Sequence, residues 1–587
     1  MTEAPTEPAP RRDLPEWARG LISLYESNAA SQFILTGNVS DSVLLPPAAG
    51  APADAPPRLG TLVDYIQQVL LPRFDVVLTH DLGNGLRVER GGEVFAQWPT
   101  FRQSQTIPRD PRQVVEFITH FLRYAANLAH AGQRASHVAV FVRSASLLAP
   151  NVRGIVNHDL SALALLIREW GADPRLTSHP LATFLITDNL ADLHPLIASS
   201  PRAAKVEVPL PTPAELSRAL GSLAKVYPIP LSRFTEGLDA PAAALAGSTL
   251  HAVETMLKSR QYDRVAVAHA DLAKIKKSII EQQTQGLIDF IKPDRTLDDL
   301  HGMDAVKAHL RQDIELWQRN DLAALPMGYL FCGPVGTGKT YMVECLAGSA
   351  GVPVVRLKNF RDRWVGSTES NLETIFRLLH ALGRCLVFVD EADQALGRRQ
   401  ADAGDSGVSG RVYSMFAEEM SNTRNRGKIV WVLASSRPDL IEVDLKRPGR
   451  IDIKIPLLPT ATPEESFGLI RALCAKRGLT LPKAIPEPLR GLIPVRLTPG
   501  AAEALAVKVY RLVRTRPEGP GPAAGDPVVP SLVECLREYQ PPVPEDVMQF
   551  QIDLAVREAS DLQFVPGEFR PGSSAKSAST NAAGSKG

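Results

Sequence analysis

The chain has 587 residues, which corresponds to about three to four folding units at the usual domain size. Hydrophobic residues make up 44% and charged residues 22%, and no apolar run reaches the roughly 18 residues of a membrane span. Lys and Arg number 65 against 64 Asp and Glu, so no global field attracts nucleic acid or acidic membranes. The composition predicts a soluble globular protein and disfavours a nucleic-acid partner.

The N-terminus, MTEAPTEPAPRRDLPEW, has no apolar segment and does not resemble a secretory signal. The five cysteines are widely spaced and form no CxxC pair, which favours neither a disulfide framework nor a zinc site. We therefore expect a cytoplasmic location.

Short apolar strands alternate with helical patterns from Gln32 to Leu210 and again from Gly328 to Leu457, which predicts two parallel sheets covered by helices. Between them, residues 241–292 have helical periodicity and no strand signal. Pro/Ala-rich residues 46–57 and 515–530 are predicted loops. The expected domains are an α/β domain at 1–240, a helical connector at 241–293, a second α/β domain at 294–460, a helical lid at 461–570 and a disordered tail at 571–587.

The two α/β regions resemble each other strand by strand. FILTGNVSD (33–41) is similar to YLFCGPVGT (329–337), VAVFVRS (138–144) to CLVFVDE (385–391), and FLITDNLADL (184–193) to WVLASSRPDL (431–440). An alignment without gaps also places KVEVPL (205–210) on DIKIPL (452–457). This pattern predicts a tandem duplication. The first copy is degenerate, because no Gly-Lys-Thr follows Gly37 and Arg143 occupies the place of Asp390, so we expect it not to hydrolyse nucleotide.

The sequence GPVGTGKT has the form of a phosphate-binding loop, follows the apolar run GYLFC and precedes a helical pattern. Glycines allow backbone N–H groups and the helix N-terminus to surround a polyphosphate. Lys339 would reach the outer phosphates and Thr340 would bind Mg²⁺. A Gly-rich turn is the alternative explanation. The predicted ATP-binding residues here are Gly333, Pro334, Val335, Gly336, Thr337, Gly338, Lys339, Thr340 and Tyr341.

A second apolar strand, CLVFVDEAD, ends in two carboxylates. The C-terminal edge of a parallel sheet is where ligands bind, so both carboxylates are expected near the phosphate loop. Asp390 is placed to hold Mg²⁺ through water, and Glu391 to orient and activate the attacking water. Solvated acids that cap a strand are the alternative.

With these motifs, residues 294–565 resemble the AAA ATPase family. The segment TLDDLHGMDAVKAHL (296–310) is similar to the family's entry segment, which implies that His301, Gly302 and Met303 lie against the adenine. TPGAAEAL (498–505) resembles part of the family's C-terminal helical subdomain, the lid, with Gly500 and Ala501 at the nucleotide, although Ala502 replaces the usual acidic residue. The implied fold is α/β, with tandem P-loop AAA domains that each precede a small helical subdomain.

ASSRPDLIEVDLKRPGRID (434–452) resembles the family's second region of homology. The resemblance implies that Arg447 and Arg450 are arginine fingers, which reach the nucleotide of a neighbouring subunit. A homo-oligomeric ring, most simply a hexamer, would follow. Ser436 stands where the family usually has an asparagine that senses the γ-phosphate, and a hydroxyl has a shorter reach. A solvated basic turn is the alternative for the arginines.

RDRWVGSTESNLETIF (361–376) resembles the first pore loop of protein-unfolding AAA rings, in which Trp364 and Val365 match the aromatic-apolar pair that grips substrate. A core position for Trp364 is the alternative. The polar segment 397–411 is a candidate second pore loop. The overall plan resembles plastid and cyanobacterial AAA ATPases with an inactive N-terminal copy.

The leading hypothesis is an ATP-dependent motor that remodels or unfolds an unidentified protein partner. A nucleotide-dependent regulatory switch or scaffold is the second hypothesis, and a nucleic-acid translocase is the third.

Overall fold

The protein is described from a computed structural model. The parts of the chain that it describes are residues 14–47, 57–132, 136–152, 157–178, 180–235, 237–268, 271–272, 276–277, 287–291, 294–358, 368–396, 408–515 and 527–570. Most of the two predicted loops and the whole predicted tail lie outside these residues. The chain forms two compact units, of which the first comprises Met1–Thr284 with Glu369–Leu382 and the second comprises Gln285–Thr368 with Gly383–Gly587.

The first unit contains strands and helices in alternation. Its strands are β1 (Gln32–Gly37), β2 (Val43–Leu45), β3 (Arg58–Gly60), β4 (Val76–Asp81), β5 (Gly85–Arg90), β6 (Val138–Val142), β7 (Leu181–Ile186) and β8 (Ala203–Val208). Its helices are α1 (Glu16–Glu26), α2 (Leu62–Tyr65), α3 (Gly92–Ala96), α4 (Pro99–Ser104), α5 (Pro111–His130), α6 (Ala145–Leu148), α7 (His158–Glu169), α8 (Pro174–Thr177), α9 (Pro195–Ala198), α10 (Pro213–Val226), α11 (Pro228–Leu231), α12 (Asp239–Ala244) and α13 (Leu250–Tyr262).

The second unit repeats this alternation. Its strands are β9 (Ile288–Ile291), β10 (Gly328–Cys332), β11 (Val354–Leu357), β12 (Cys385–Val389), β13 (Ile429–Ser435) and β14 (Ile453–Pro456). The remaining helices are α14 (Asp304–Gln318), α15 (Lys339–Ala350), α16 (Thr368–Leu382, grouped with the first unit from Glu369), α17 (Ala392–Leu396), α18 (Val408–Ser421), α19 (Pro463–Ala475), α20 (Pro499–Thr515), α21 (Val528–Arg537) and α22 (Glu545–Glu558). None of the helices in the described ranges has both the length and the hydrophobicity that a membrane crossing needs.

Each unit is built on a six-stranded sheet, and the strand orders correspond. The first order is β5-β4-β6-β7-β1-β8, and the second, taken from its opposite edge, is β9-β11-β12-β13-β10-β14. In both sheets the first strand of this order pairs antiparallel and the rest pair in parallel. Strands such as β6 and β12 are buried along their whole length, as expected for parallel strands covered on both faces. The α/β fold prediction is confirmed.

The pairing register differs slightly from the ungapped comparison of the two halves. Leu35 pairs with Ile186 and Val206, whereas Phe331, its counterpart two residues before the loop glycine, pairs with Ala434 and Ile455. Val206 rather than Val208 therefore corresponds to Ile455, a shift of two residues. Strand register is fixed by the hydrogen-bond ladder and by which face is buried, so the connecting loops absorb the difference in length.

Strand β9 is a finding that the sequence periodicity did not indicate. Residues 241–292 were expected to be helical, but Ile288–Ile291 pairs antiparallel with β11, with Ile291 opposite Val354 and Ile288 opposite Leu357. A four-residue segment carries too little periodicity to define its own structure, and the unpaired edge of β11 supplies the hydrogen bonds that select the strand.

The helices after each sheet form separate small cores. In the first unit the core begins with Leu216 of α10 and extends to Leu272, and in the second it runs from Phe467 of α19 to Leu536 of α21. Both start at a Thr-Pro sequence, in which the hydroxyl of Thr212 or Thr462 accepts the amide N–H three residues on. Ala502 is fully buried in the second core, a position at which burial of a charged side chain would cost free energy.

A buried polar contact fixes strand β10 of the second unit against α14. The hydroxyl of Tyr329 donates to Asp313 Oδ2 at 2.6 Å, and both residues are buried. Burial raises the pKa of Asp313, while the bond from Tyr329 and the nearby His309 oppose the shift. Because Tyr329 lies four residues before Gly333, this contact anchors the strand that carries the phosphate loop.

We predict that Tyr329→Phe lowers the free energy of unfolding by about 1–3 kcal/mol, because the buried carboxylate of Asp313 loses its donor. Burial has already raised the folded-state pKa of Asp313, and this pKa would rise further in the variant, so the loss should increase as pH rises through that pKa and the carboxyl gives up its proton. Urea titrations over a series of pH values would measure it, with Tyr510→Phe as a control. A loss that did not grow with pH would contradict the assignment.

Candidate active site

The phosphate loop begins at the end of β10, which lies between its parallel neighbours β13 and β14. Gly333 N–H donates to the carbonyl of Ser435 at the end of β13 at 3.2 Å. On the other side, a Cβ at Gly333 would lie 2.0 Å from the carbonyl oxygen of Leu457. Only glycine allows this close approach of backbone to backbone. The loop then turns through Gly336 and Gly338, with φ of 85° and 86°, and helix α15 begins at Lys339.

The side chain of Lys339 lies within the loop that it follows. Its Nζ donates to the carbonyl oxygens of Gly333 at 2.8 Å and Pro334 at 3.0 Å. Burial lowers the pKa of Lys339 from its ordinary value, and Asp390 is the largest opposing influence. The ammonium group is thus held at the mouth of the loop, beside the N-terminus of a twelve-residue helix.

The two carboxylates of the second motif reach the same edge of the sheet. Thr340 Oγ1, one residue into α15, donates to Asp390 Oδ2 at 3.2 Å, although 50 residues separate them. Glu391 follows with a positive φ of 47° and an exposed side chain. A non-glycine residue in this conformation is uncommon and clusters at functional sites. Parallel pairing of β10, β13 and β12 therefore brings loop, hydroxyl and carboxylates together.

The predicted sensor position, Ser436, is half-buried directly after β13. The hydroxyl of the preceding residue, Ser435, donates to Asp393 Oδ1 and accepts the N–H of Arg437 at 2.9 Å. Arg437 in turn forms a two-pronged contact with Asp439. This network fixes the turn that presents Ser436.

The lid helix α20 contacts the phosphate loop directly. Gly500 N–H donates to the carbonyl of Gly336 at 2.9 Å, and a Cβ at Gly336 would lie 3.2 Å from the hydroxyl of Thr498. Ala501, the other residue predicted here, is buried, and its N–H donates to that hydroxyl at 3.3 Å. The first residues of α20 therefore lie against the phosphate loop.

The entry segment makes a tight turn before α14. Gly302 and Met303 both adopt the left-handed conformation, with φ of 68° and 58°. A Cβ at Gly468 of α19 would lie 3.2 Å from His301 Nε2, so the histidine lies against the lid. Partial burial lowers the pKa of His301 from its ordinary value, helped by the positive charges of Arg471 and Lys307. The imidazole is thus favoured in its neutral form.

Two cations that the sequence did not indicate surround Tyr341. The guanidinium of Arg295 lies 4.6 Å from the ring centroid, and Lys476 Nζ lies 3.1 Å from the hydroxyl. Neither belongs to a recognisable motif. Another such residue is Gln551 of α22, whose Oε1 accepts the N–H of Val335 in the phosphate loop at 3.3 Å. Because 216 residues separate Gln551 from Val335, no local sequence pattern indicates this contact.

The predicted arginine fingers are held within their own chain by Asp444. Arg447 Nη1 lies 2.6 Å from Asp444 Oδ1, and Arg450 bonds to both the carbonyl and the carboxylate of Asp444. Arg450 lowers the pKa of Asp444, with a smaller contribution from Arg447. The side chain of Arg447 is 68% exposed, whereas that of Arg450 is 19% exposed. Arg447 is therefore the more available to an adjoining molecule.

The first unit keeps the backbone geometry of this site without its chemistry. A Cβ at Gly37 would lie 2.5 Å from the carbonyl of Val208, which matches the close approach at Gly333. Arg143, at the place of Asp390, is exposed, and its N–H donates to the carbonyl of His80. A cavity of about 1220 Å³ lies at the amino ends of the strands, beside Ser31, His137 and Pro180, so it is not a remnant of the loop edge.

Trp364, Val365 and residues 397–407 lie outside the described residues, so their predicted pore-loop roles remain predictions.

Comparison with known families agrees with the two-unit architecture. Residues 5–209 match the N-terminal Rossmann-like domain of AAA+ chaperones, and residues 329–458 match the ATPase family associated with various cellular activities (AAA). The chain thus has the domain composition of an AAA+ chaperone-type ATPase, and the AAA domain implies ATP binding. AAA proteins typically form rings.

The curated relatives match only part of the chain. It is 31% identical over 198 residues to the ATP-dependent zinc metalloprotease FtsH of Acidothermus cellulolyticus, a match that covers 32% of this chain and 29% of that protein. Identity is 31% with the peroxisomal ATPase PEX6 of Kluyveromyces lactis and 34% with the peroxisomal ATPase PEX1 of Dictyostelium discoideum. Those matches cover 31% and 26% of this chain, and 19% and 13% of the relatives. The chain thus spans less than a third of these relatives' length.

We predict that Lys339→Ala weakens ATP binding by about 10- to 100-fold, because charge-assisted contacts to the phosphates are lost. Titration with a fluorescent ATP analogue would measure it, with Lys508→Ala, an exposed lysine on α20, as the control. Normal ATP turnover by Lys339→Ala would refute the site.

Proposed function

We propose that the chain is an ATP-hydrolysing motor that remodels or unfolds a protein partner. The observation that carries the proposal is the hydrogen bond between Thr340 and Asp390, directly after the loop residue Lys339. This contact joins the two motifs that phosphoryl transfer requires, one for the phosphates and one for the carboxylates. The AAA+ chaperone-type domain composition supports a protein partner.

Different residues of the second unit would bind the phosphates, activate the attacking water and contact the adenine. Backbone N–H groups of residues 336–341 and the N-terminus of α15 would bind the phosphates, and Lys339 would exchange its bonds to Gly333 and Pro334 for bonds to phosphate oxygens. The exposed carboxylate of Glu391 would orient the attacking water and accept its proton. Ser436 would hydrogen-bond the γ-phosphate, and His301, Gly302 and Met303 would lie beside the adenine with Gly500 and Ala501.

The hydroxyl of Thr340 and the carboxylate of Asp390 suit Mg²⁺, which prefers oxygen ligands and keeps several waters. Held there, Mg²⁺ would supply positive charge that offsets the negative charge developing on the phosphates during transfer. The role of the chain is to hold these two ligands together at the strand ends.

We further propose a homo-oligomeric ring, most simply a hexamer, in which Arg447 and Arg450 act on the nucleotide of the next subunit. The exposure of Arg447 supports this role, and Asp444 holds its guanidinium in place before assembly. The first unit would recruit the partner or support assembly. The kinship with plastid and cyanobacterial AAA ATPases that have an inactive first copy, and a cytoplasmic location, belong to the same proposal.

We predict that Glu391→Gln binds ATP with unchanged affinity but hydrolyses it about 100-fold more slowly or worse, because the amide cannot accept a proton. Turnover assays would measure this, and proteins that co-purify with the ATP-bound variant would identify the partner. A variant that remained monomeric with ATP bound would argue against the ring.

Trp364→Ala separates the motor from a nucleotide-dependent switch. If a pore residue grips substrate, this variant should keep its ATPase rate and lose unfolding of the co-purified partner, because the apolar grip is removed. A switch would show no unfolding in the wild type or the variant, and its ATPase rate would not change. A translocase would instead bind DNA or RNA at low salt, which the balanced charge disfavours.

A further inference from the structure

Helix α22 lies far from the nucleotide motifs in sequence but against them in the fold. Besides the bond from Val335 N–H to Gln551 Oε1, the thiol of Cys332 lies 3.7 Å from the carbonyl of Ala555. At the end of the helix, Glu558 forms ion pairs with Lys446 and Lys454. Lys446 is buried and its Nζ also donates to the carbonyl of Pro438 at 2.8 Å. These contacts fix α22 beside the phosphate loop.

Two adjacent residues of the loop are held by two different helices. Gly336 accepts the N–H of Gly500 from the lid at 2.9 Å, and Val335 donates to Gln551 from α22 at 3.3 Å. Gln551 is only 8% exposed although it is polar, and the loop amide is its partner there. A loop held in its binding conformation loses less conformational freedom when a ligand arrives.

We propose that Gln551 is a positioning residue that holds the phosphate loop in the conformation that accepts nucleotide. This inference rests on the proposed ATPase function. It predicts an effect on nucleotide affinity rather than on the chemical step, because Gln551 touches the loop and not the reacting atoms.

The test is Gln551→Met in the full chain, which keeps the length of the side chain and removes the acceptor. We expect the KM for ATP and the Kd for a fluorescent ADP analogue to rise about three- to tenfold, with kcat changed less than about twofold. Gln549→Met, a half-buried position on the same helix, is the matched control and should change neither.

Unchanged affinity in Gln551→Met would overturn the inference, as would an equal loss of affinity in Gln549→Met. If Lys339→Ala also bound nucleotide normally, the proposed ATPase site itself would fail. The two failures are thus distinguishable.

A second inference comes from the first unit, where the helix corresponding to the lid meets the glycine loop differently. Helices α13 and α20 both start at a threonine whose hydroxyl accepts the amide N–H three residues on, from Ala252 and Ala501, each at 3.3 Å. In the second unit, the start of α20 is joined to the phosphate loop by the backbone bond between Gly500 and Gly336. In the first unit, a carboxylate joins the start of α13 to the loop after Gly37.

That carboxylate belongs to Asp41, in the loop that follows Gly37. Its two oxygens accept the N–H groups of Leu250 and His251, both at 2.9 Å, and it is 7% exposed. Asn38 and the N–H of Ser42 complete its hydrogen bonds at 2.9 and 2.7 Å. A carboxylate at a helix N-terminus is stabilised by the oriented N–H groups and the helix dipole, as a phosphate would be.

We infer that Asp41 is a built-in latch, which supplies the negative charge at this helix from the chain itself and keeps the first unit closed without nucleotide. The comparison of the two loops places Asp41 at the position of Thr337. The unit would then be a constant scaffold rather than a second nucleotide-driven element.

The latch is tested by Asp41→Ala and by nucleotide stoichiometry in the full chain. Amide exchange in residues 249–257 should become about tenfold faster or more in Asp41→Ala, and not in Asp110→Ala, an exposed helix cap with one bond to Gln113. Wild-type protein should bind one fluorescent ADP analogue per chain. Unchanged exchange, or two nucleotides per chain, would overturn the latch, whereas no binding at all would count against the proposed ATPase.

Discussion

The structure of the candidate active site depends on the parallel pairing of β10 with β13 on one side and β14 on the other. This pairing brings the backbone of Gly333 so close to Leu457 that no side chain fits between them. Because all these strands end at one edge, the loops that follow them meet there. The phosphate loop, the carboxylates after β12 and the turn after β13 are thereby assembled from segments that are distant in sequence.

The same backbone arrangement occurs in the first unit with different chemistry. Gly37 repeats the close approach, and the strand order is the same, but the helix N-terminus near the loop is held by Asp41 in the first unit and by the Gly500–Gly336 backbone bond in the second. The comparison separates what the fold requires from what the proposed reaction requires. Glycine directly after β1 and after β10 is required by packing in the two units, whereas Lys339, Asp390 and Glu391 occur in one.

Much of this was predictable, because each motif is local. The loop at 333–340 and the acids at 390–391 follow apolar strands, and the alternation of short apolar segments with helical patterns predicted both sheets. Strand β9 was not predictable, since its structure comes from the edge of β11 rather than from its own four residues. Gln551 and Lys476 likewise contact the site only through the tertiary fold, and the burial of Ala502 becomes visible only once the lid is packed.

The central claim is that one chain supplies the phosphate loop and its neighbour supplies the arginines. Mixing two inactive variants tests this most directly. Lys339→Ala lacks a functional loop but keeps its arginines, and an Arg447→Ala, Arg450→Ala double variant has the opposite defect. The account predicts little ATPase activity for either alone and recovered activity on mixing, because some interfaces then combine an intact loop with intact arginines. Activity that stayed at the sum of the separate variants would contradict a shared site.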